Sequence, residues 1–383
     1  MRYERCLDLK QLLSEKSFFL FGPRSTGKTY LINQQLVNEA LIIDLLNTEI
    51  YLRLSASPVD LEGIIKAGHP RKKIVVIDEI QKIPELLSEV HRLLETTDVC
   101  FLLTGSSARK LRKSGVDMLA GRAWKANLFP LCSKEIPDFD LERYLRYGGL
   151  PQVCQSRSPD EELYSYVDIY LKEEIRAEGI IRRLPPFSRF LKTAALSSGT
   201  LLNFAQIASD CAVPVSTVRE YYSILEDTLI GFALEPWIHS RKRKAIQTAK
   251  FYLFDTGVTH TIAGTKILER NSNIYGQSFE QFIAMELRAY LSYRRIKDPM
   301  TFWRSTHGFE VDFLIGEHTA IETKATKRAS PRDMKGLKTL KDEGIFKKFY
   351  FVSQDNIATE QHGIFFIHWR EFLERLWNDD ILK

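Results

Sequence analysis

Residues 18–29 read Phe18-Phe19-Leu20-Phe21-Gly22-Pro23-Arg24-Ser25-Thr26-Gly27-Lys28-Thr29. Four apolar residues lead into the pattern G-x-x-x-x-G-K-T, which is the phosphate-binding P-loop. We expect a buried strand and then a loop whose backbone N–H groups wrap phosphates at the positive end of the next helix. Gly22 and Gly27 permit the turns and close approaches that a Cβ atom would hinder.

The motif assigns a nucleotide site to this loop. Lys28 is expected to reach the β- and γ-phosphates, and Thr29 to place its hydroxyl on Mg²⁺. The preceding strand pattern disfavours the alternative, a glycine-rich turn before an ordinary helix. The predicted ATP-binding residues of the loop are Gly22, Pro23, Arg24, Ser25, Thr26, Gly27, Lys28 and Thr29.

A second apolar run, Ile74–Ile77, ends in Asp78-Glu79. Consecutive β-prone residues are typical of a central parallel strand that is covered on both faces. Because this run follows a P-loop, the same sheet should supply the metal ligand. We therefore expect Asp78 to bind Mg²⁺ together with Thr29, and Glu79 to polarise the water that attacks the γ-phosphate. This is the Walker B pattern of a protein that hydrolyses ATP.

The next apolar run ends in hydroxyl side chains, at Thr104-Gly105-Ser106-Ser107. A polar residue at this place orients the attacking water in an ATPase of this build, and Ser106 is our first choice, with Thr104 second. The alternative is a Gly-Ser turn that caps the following helix.

Three arginines follow this turn: Arg109, Arg112 and Arg122. An arginine that reaches into a neighbouring subunit's site would stabilise charge in the transition state. Arg122, in Leu119-Ala120-Gly121-Arg122, is the predicted residue of this kind. An unpaired surface arginine is an equally good interpretation.

The composition is that of a soluble globular protein, with 44% hydrophobic and 27% charged residues. Its 383 residues suggest two or three domains. The net charge of +5 permits nucleic-acid binding without requiring it. The five cysteines are scattered and form no C-x-x-C, which argues against a disulfide framework or a zinc site and favours a reducing, cytoplasmic location. We expect no membrane span and no signal peptide.

The middle of the chain has the pattern of a winged helix. Two helical stretches and two β-like runs follow one another, at Asn203–Asp210, Val215–Asp227, Leu229–Leu234 and Phe251–Phe254. A basic run, Arg241–Lys244, lies between the two β-like runs. It either binds DNA or mediates protein contacts, and the sequence leaves both open.

The C-terminal part carries a D…E-x-K constellation. Asp312 lies in one strand of a predicted hairpin, and Glu322 and Lys324 share a face of the other strand because side chains alternate. With Glu280 from the preceding helix, these residues could bind Mg²⁺, and Lys324 could polarise a water for phosphodiester cleavage. The segment Lys324–Lys348 has nine Lys and Arg against three Asp and Glu, which suits a phosphate backbone. The alternative is a charged hairpin face in a non-catalytic relic.

Together these residues resemble the bacterial and archaeal AAA+ ATPases that join a P-loop domain to a winged helix and a restriction-endonuclease-like PD-(D/E)xK domain. The resemblance covers nearly the whole chain through GPRSTGKT (22–29), VVIDEIQ (75–81), LTGSS (103–107), LAGR (119–122), GGLP (148–151), SFEQF (278–282) and VDFLI…IETK (311–324). One departure is Thr323, where family members commonly carry an apolar residue, and we expect it not to disturb metal ligation.

The expected fold class is α/β. A parallel P-loop sheet over residues 1–152 precedes a helical and winged-helix domain over 153–265 and a small α/β nuclease-like domain over 266–383. The resemblance further implies self-association, as a ring, because AAA+ sites form between subunits. The favoured function is an ATP-driven protein that acts on DNA. The alternatives are a nucleotide-dependent switch that binds protein partners, and a metal-dependent nuclease gated by ATP.

Overall fold

A computed structural model describes residues 3–68, 73–109, 111, 119, 121–171, 184–240, 242–330 and 333–382. Within these residues the first sheet has five strands: β1 Phe18–Phe21, β2 Ala40–Asp44, β3 Ile74–Asp78, β4 Cys100–Gly105 and β5 Trp124–Asn127. All neighbours are parallel, in the order β2-β3-β4-β1-β5. Because β4 lies between β1 and β3, its carboxyl end lies between the start of the P-loop and the end of the Walker B strand.

Helices cover both faces of this sheet, which explains why its central strands are continuous apolar runs. The helices are α1 Leu9–Glu15, α2 Lys28–Leu36, α3 Thr48–Ala56, α4 Asp60–Gly68 and α5 Leu86–Thr96. Helices α1 and α2 pack with Phe18 and Leu20 on one face. Helices α3, α4 and α5 pack with Phe19 and Phe21 on the other face. The sequence-based expectation of a parallel α/β sheet is thus confirmed.

A helical region follows the first sheet. Its helices are α6 Leu141–Tyr147, α7 Pro151–Gln155, α8 Pro159–Ser165, α9 Leu184–Leu196, α10 Phe204–Cys211, α11 Val215–Asp227 and α12 Thr256–Ala263, with a π-helical turn at Tyr166–Leu171. Helix α10 begins at Asn203, whose side chain accepts a hydrogen bond from the backbone N–H of Gln206. Helix α11 begins directly after Pro214. The short turn between them gives the predicted succession of two helices and then two strands.

The second sheet has eight strands within the described residues, in the order β12-β13-β11-β10-β9-β8-β6-β7. They are β6 Gly231–Pro236, β7 Lys250–Leu253, β8 Met300–Arg304, β9 Glu310–Ile315, β10 Thr319–Lys324, β11 Lys348–Ser353, β12 Thr359–Gln361 and β13 Ile364–His368. Helices α13 (Asn273–Tyr293) and α15 (Trp369–Trp377) cover one face. Helix α14 (Lys335–Lys341) covers the other face.

One strand pairing crosses the predicted boundary at 265/266. Strand β6 pairs with β7 in antiparallel fashion, and its last residues, Glu235 and Pro236, pair in parallel with Thr301 and Phe302 of β8. The two strands expected to form a wing are therefore the edge of the C-terminal sheet. The domain limits themselves stay predictions.

Candidate functional site

The P-loop connects the carboxyl end of β1 to the first turn of α2. Gly27 has a φ of 92° and stands immediately before α2, so it occupies the left-handed region that glycine favours. Gly22 allows a close approach, because a Cβ atom there would lie 2.5 Å from the carbonyl oxygen of Leu128. Together the two glycines bring the backbone N–H groups of the loop to the N-terminus of α2, where an anion is favoured.

Two side chains at the start of α2 face this edge of the sheet. The ammonium of Lys28 lies 2.7 Å from the carbonyl oxygen of Gly22 and 3.3 Å from that of Pro23. The hydroxyl of Thr29 donates to Asp78 Oδ2 at 3.0 Å. A hydroxyl and a carboxylate oxygen are hard ligands of the type that Mg²⁺ prefers. The residues present therefore fit the metal that a P-loop site implies.

The Walker B residues are joined to β4 through Thr104. Its hydroxyl donates to Asp78 Oδ1 and accepts the backbone N–H of Glu79 at 3.0 Å. Glu79 has a φ of 63°, a left-handed conformation that costs a residue with a Cβ about 1–2 kcal/mol. Backbone strain of this kind persists where the surrounding structure imposes it. Thr104 supplies part of that restraint and fixes the direction in which the Glu79 side chain leaves the strand.

A second polar residue, Gln81, holds the carboxylate of Glu79. The Gln81 side-chain amide donates to Glu79 Oε2. Gly105 makes room for this amide, since a Cβ atom there would lie 2.6 Å from Gln81 Oε1. That buried oxygen has no hydrogen-bond partner among the described residues. Glu79 and Gln81 thus form one unit at the edge of the sheet where the P-loop lies.

The C-terminal carboxylates surround an ammonium group. The side-chain nitrogen of Lys250, on β7, lies 2.9 Å from Glu280 Oε1, 2.6 Å from Glu310 Oε1 and 3.9 Å from Asp312 Oδ1. The hydroxyl of Tyr252 also donates to Glu280 Oε1, at 2.5 Å. Burial raises the pKa of Glu280, and the nearby Asp312 charge raises it further. The sequence analysis placed Glu280 and Asp312 at one site, but it named neither Lys250 nor Glu310.

A β-bulge determines where Asp312 points. Thr301 of β8 pairs with Leu314 and Trp303 pairs with Val311, so Asp312 and Phe313 together face Phe302. The extra residue re-aims a side chain, and Asp312 lies near Lys250 of β7, which also contacts Glu280 of α13. Bulges of this kind depend on tertiary packing, and the alternation of residues along the strand gives no sign of them.

The predicted Asp312, Glu322 and Lys324 therefore meet only in part. Glu322 and Lys324 do pair, with Oε1 and Nζ 3.1 Å apart. Asp312 Oδ2, however, accepts the backbone N–H of Thr323 at 2.8 Å and its hydroxyl at 2.9 Å. The expectation that Thr323 would leave metal ligation undisturbed stays a prediction, and in this structure its backbone N–H and hydroxyl both donate to one carboxylate oxygen of Asp312.

Glu322 pairs with Lys324 rather than with Lys250, although burial and then the nearby charge of Asp312 raise the pKa of its carboxyl well above the usual value. Its neighbours Ala320 and Phe351 pack with α14, whereas Ile321 and Val352 pack with α13, so alternation puts Glu322 on the α14 face. Among the described residues no group of three or more His, Cys, Asp and Glu side chains could hold a metal ion. The arrangement does not fit the shared metal that the sequence suggested.

Comparison with known protein families accounts for most of the chain. Residues 14–137 match the family described as "AAA domain". The chain carries an AAA domain. Its five parallel strands are consistent with a P-loop NTPase of this family, and the family suggests a nucleotide-binding ATPase that typically uses Mg²⁺. Residues 138–269 and 275–372 match two domains of unknown function, DUF8612 and DUF4143.

Relatives extend over the AAA domain and the regions that follow it. The uncharacterized protein Rv2008c of Mycobacterium tuberculosis is 27% identical over 325 residues, which cover 81% of this chain and 70% of Rv2008c. The uncharacterized protein MJ1544 of Methanocaldococcus jannaschii is 24% identical over 351 residues, which cover 83% of this chain and 76% of MJ1544. Sequences similar to most of this chain are thus found in both a bacterium and an archaeon. No helix among the described residues is long and apolar enough to span a membrane.

Arg5 is a buried residue that donates a hydrogen bond to the backbone of the P-loop. The guanidinium donates to Thr26 O at 2.8 Å, to Phe129 O at 2.6 Å and to Glu135 Oε1 at 3.1 Å. It also lies 3.4 Å from the hydroxyl of Tyr293, at the end of α13. Arg5 is 8% exposed. One buried cation therefore joins the nucleotide loop to a helix of the C-terminal region, and no local pattern in the sequence marks it.

Arg122 lies at the opposite edge of the AAA sheet from the P-loop. It precedes β5, whose first residue, Trp124, pairs with Phe18 at the start of β1, whereas the P-loop follows the end of β1. Its guanidinium pairs with Glu95 on α5, and both side chains are largely exposed. Arg122 cannot act on the P-loop of its own chain, so a role in hydrolysis requires a second chain. Arg112 lies outside the described residues.

The remaining candidates follow β4. Arg109 pairs with Asp227, at the end of α11, with Nη1 2.8 Å from Oδ2. We expect nucleotide to bind at this end of the AAA sheet. The Arg109–Asp227 pair connects that end to the helical region. Ser106 is buried just beyond β4, and its assignment to the attacking water stays a prediction. Thr104 contacts both Walker B residues directly, as described above.

Proposed function

We propose that this protein hydrolyses ATP in the AAA domain and uses the energy of hydrolysis to act on DNA. One observation carries the proposal. Thr29, Asp78, Thr104 and Glu79 converge at the carboxyl edge of one parallel sheet, beside the N-terminus of α2. Phosphoryl transfer needs positioning and charge stabilisation more than covalent chemistry, and this edge supplies both.

Each residue has a defined task in this proposal. Lys28 exchanges its carbonyl contacts for the β- and γ-phosphates, and Thr29 and Asp78 hold Mg²⁺ when it is bound, which neutralises developing charge. Glu79 accepts a proton from the attacking water. Gln81 sets the position of the Glu79 carboxylate before nucleotide arrives. Ser106 or Thr104 orients the water.

Self-association is part of the proposal, because Arg122 is too far from its own P-loop to contribute. A ring or another closed assembly would bring Arg122 of one chain to the nucleotide of the next chain. The Arg5 and Arg109 contacts offer routes by which nucleotide state would reach the C-terminal and helical regions.

Three features support DNA as the substrate. Helices α10 and α11 form a helix-turn-helix pattern, which is one common way to present a helix to DNA. A polar cavity of about 850 Å³ opens beside α13, and its lining combines the basic residues Arg270, Lys324 and Lys327 with the acidic residues Glu280 and Asp333. The segment Lys324–Lys348 adds further positive charge. Electrostatic contact with phosphates is the main source of sequence-independent DNA affinity.

The basic run Arg241–Lys244 supports DNA binding less well than its charge suggests. Arg241 lies outside the described residues. Arg243 pairs with Asp342 at 3.2 Å and donates to Thr339 O at 3.0 Å, and the backbone N–H of Lys242 donates to Glu343 at 2.9 Å. These contacts fix the run against the end of α14, so an intramolecular role accounts for part of its charge.

The experiment that tests this function is ATP turnover of the purified protein, measured with and without single-stranded, duplex and branched DNA. We expect at least one form of DNA to raise turnover and to bind with an affinity that falls steeply with salt. If no form of DNA changes the rate of ATP turnover and the protein binds no DNA at low salt, DNA is not the substrate. That result would leave the assignment of ATPase activity unaffected.

A second candidate function is a nucleotide-dependent switch that binds protein partners, with the C-terminal region as a scaffold. The Lys250 ion-pair cluster favours it, because carboxylates that are already paired are poorly placed for metal-dependent cleavage. In this case DNA would leave turnover unchanged, and the ATP-bound Glu79→Gln variant would retain a protein partner that the Lys28→Ala variant does not.

A further inference from the structure

The C-terminal carboxylate cluster is built around one buried ammonium group. Lys250 is 3% exposed, and its nitrogen lies within 4 Å of carboxylate oxygens of Glu280, Glu310 and Asp312. The ring of Phe302 packs against the same cation, with the nitrogen 5.3 Å from its centre. Lysine is rarely buried unless it is paired. Here three acidic side chains, one from helix α13 and two from strand β9, converge on it.

Protein donors other than Lys250 also contact these carboxylates. Glu310 Oε2 pairs with Arg304 at 3.2 Å, and Glu280 Oε1, the oxygen that contacts Lys250, also accepts a hydrogen bond from the hydroxyl of Tyr252. Asp312 Oδ2 accepts both donors of Thr323. Burial alone would lower the pKa of Lys250, but the surrounding phenol and carboxylates raise it well above its usual value. The lysine therefore carries its charge, and the carboxylates have protein donors.

A divalent cation has different requirements. Mg²⁺ needs about six oxygen ligands in octahedral geometry at about 2.0–2.1 Å. The distances from Lys250 to the carboxylate oxygens are those of hydrogen bonds between charged groups. A metal at the same place would meet the ammonium at close range, where two positive charges repel each other strongly in a buried setting.

We propose that Lys250 is the resident cation of this site and excludes a divalent metal from it. The three carboxylates converge on the lysine side chain from β7, which occupies the place that a metal ion would need. Because β7 belongs to the region before α13, the lysine also links the two sides of the predicted 265/266 boundary. This inference concerns the C-terminal cluster alone and does not depend on ATP hydrolysis or on DNA binding.

The test is a count of bound Mn²⁺ ions on the full-length, nucleotide-free protein, from the loss of the free-ion signal in electron paramagnetic resonance. The wild type and Asp312→Asn should bind equal numbers of Mn²⁺. Lys250→Met, which keeps the side-chain length and removes the charge, should bind one more ion per chain. Lys250→Met combined with Asp312→Asn should return to the wild-type number. Any Mn²⁺ at Thr29 and Asp78 is common to all four proteins and cancels.

Lys348→Met is a matched control. Lys348 lies on β11 of the same sheet, and its ammonium donates to the carbonyl oxygen of Ile381 at 2.8 Å. This control should bind the wild-type number of ions. Two results would overturn the proposal: a wild type that binds one Mn²⁺ more than Asp312→Asn, or a folded Lys250→Met protein that gains none. The comparison of the wild type with Asp312→Asn needs no substitution of Lys250. It therefore tests the proposal even if Lys250→Met fails to fold.

Discussion

Arg5 gives the most quantitative prediction. Its side chain is 2% exposed and that of its partner Glu135 is fully buried. Removing one partner of a buried ion pair costs about 3–5 kcal/mol, because the other charge remains without compensation. In Arg5→Met, Glu135 would keep the backbone N–H groups of Cys6 and Cys132, at 2.6 Å and 2.9 Å. We therefore expect the lower end of that range, about 3 kcal/mol.

The assay is equilibrium denaturation in urea. The relevant transition is the one that ATP with Mg²⁺ moves to higher urea, because ligand binding stabilises the unit that holds the P-loop. With an m-value of about 1–3 kcal/mol/M, the midpoint of Arg5→Met should fall by about 1–3 M. Arg5→Met combined with Glu135→Gln should lose less stability than the sum of the two single variants, since the residues are in contact.

An exposed pair provides the control. Arg53 and Asp60 lie 3.0 Å apart, but their side chains are 58% and 39% exposed, and exposed ion pairs contribute little. Arg53→Met should leave the transition where it is. An Arg5→Met protein as stable as the wild type, or single variants whose effects simply add, would refute the assignment of Arg5 as a buried support of the P-loop.

Three further predictions concern single residues. Thr104→Val should slow ATP hydrolysis at least about tenfold, because a lost hydrogen bond to a charged group costs about 1.5–3 kcal/mol, whereas Thr104→Ser should keep most of the turnover; equal rates in both would contradict the role of the hydroxyl. Arg122→Ala should bind ATP normally but turn it over slowly, and a mixture with Glu79→Gln protein should regain activity; no recovery would argue against action between chains. Burial raises the pKa of Glu286 from 4.5 to about 7, so the contribution of Glu286 to stability should be lost as the pH rises from 4.5 through 7, by up to about 3 kcal/mol. Thermal unfolding of Glu286→Gln, measured between pH 5 and 8, should lack this loss of stability. A variant with the same pH profile as the wild type would show that Glu286 does not cause the loss.

The AAA sheet was predictable because its signals are local. Polar residues follow an apolar run at three places: the P-loop, the Walker B residues and Thr104. The runs form parallel strands, and parallel topology brings their carboxyl ends together. Glu79 was recognised for its chemistry. Its left-handed backbone was not, because strain arises from contacts that the sequence does not display.

The features that escaped prediction are long-range. Arg5 meets Glu135 across 130 residues, and Lys250 meets Glu280 across 30. Both are charged residues at the margin of an apolar segment, and a solvated surface position is the usual interpretation of that pattern. Asp312 was identified as important, but a bulge in β9 changed its neighbours. A shift of one residue moves a side chain to the other face of a sheet, and the hairpin pattern alone did not fix that register.

The central claim is ATP hydrolysis at the P-loop, and the most direct measurement is phosphate release by the purified protein under saturating ATP with Mg²⁺. The wild type should turn over ATP. Lys28→Ala should lose hydrolysis and much of the nucleotide affinity, because the cation that faces the phosphates is gone. Glu79→Gln should bind ATP but release phosphate at least about 100-fold more slowly, since loss of a general base affects rate rather than binding. Wild-type turnover in either variant would contradict this assignment of the site.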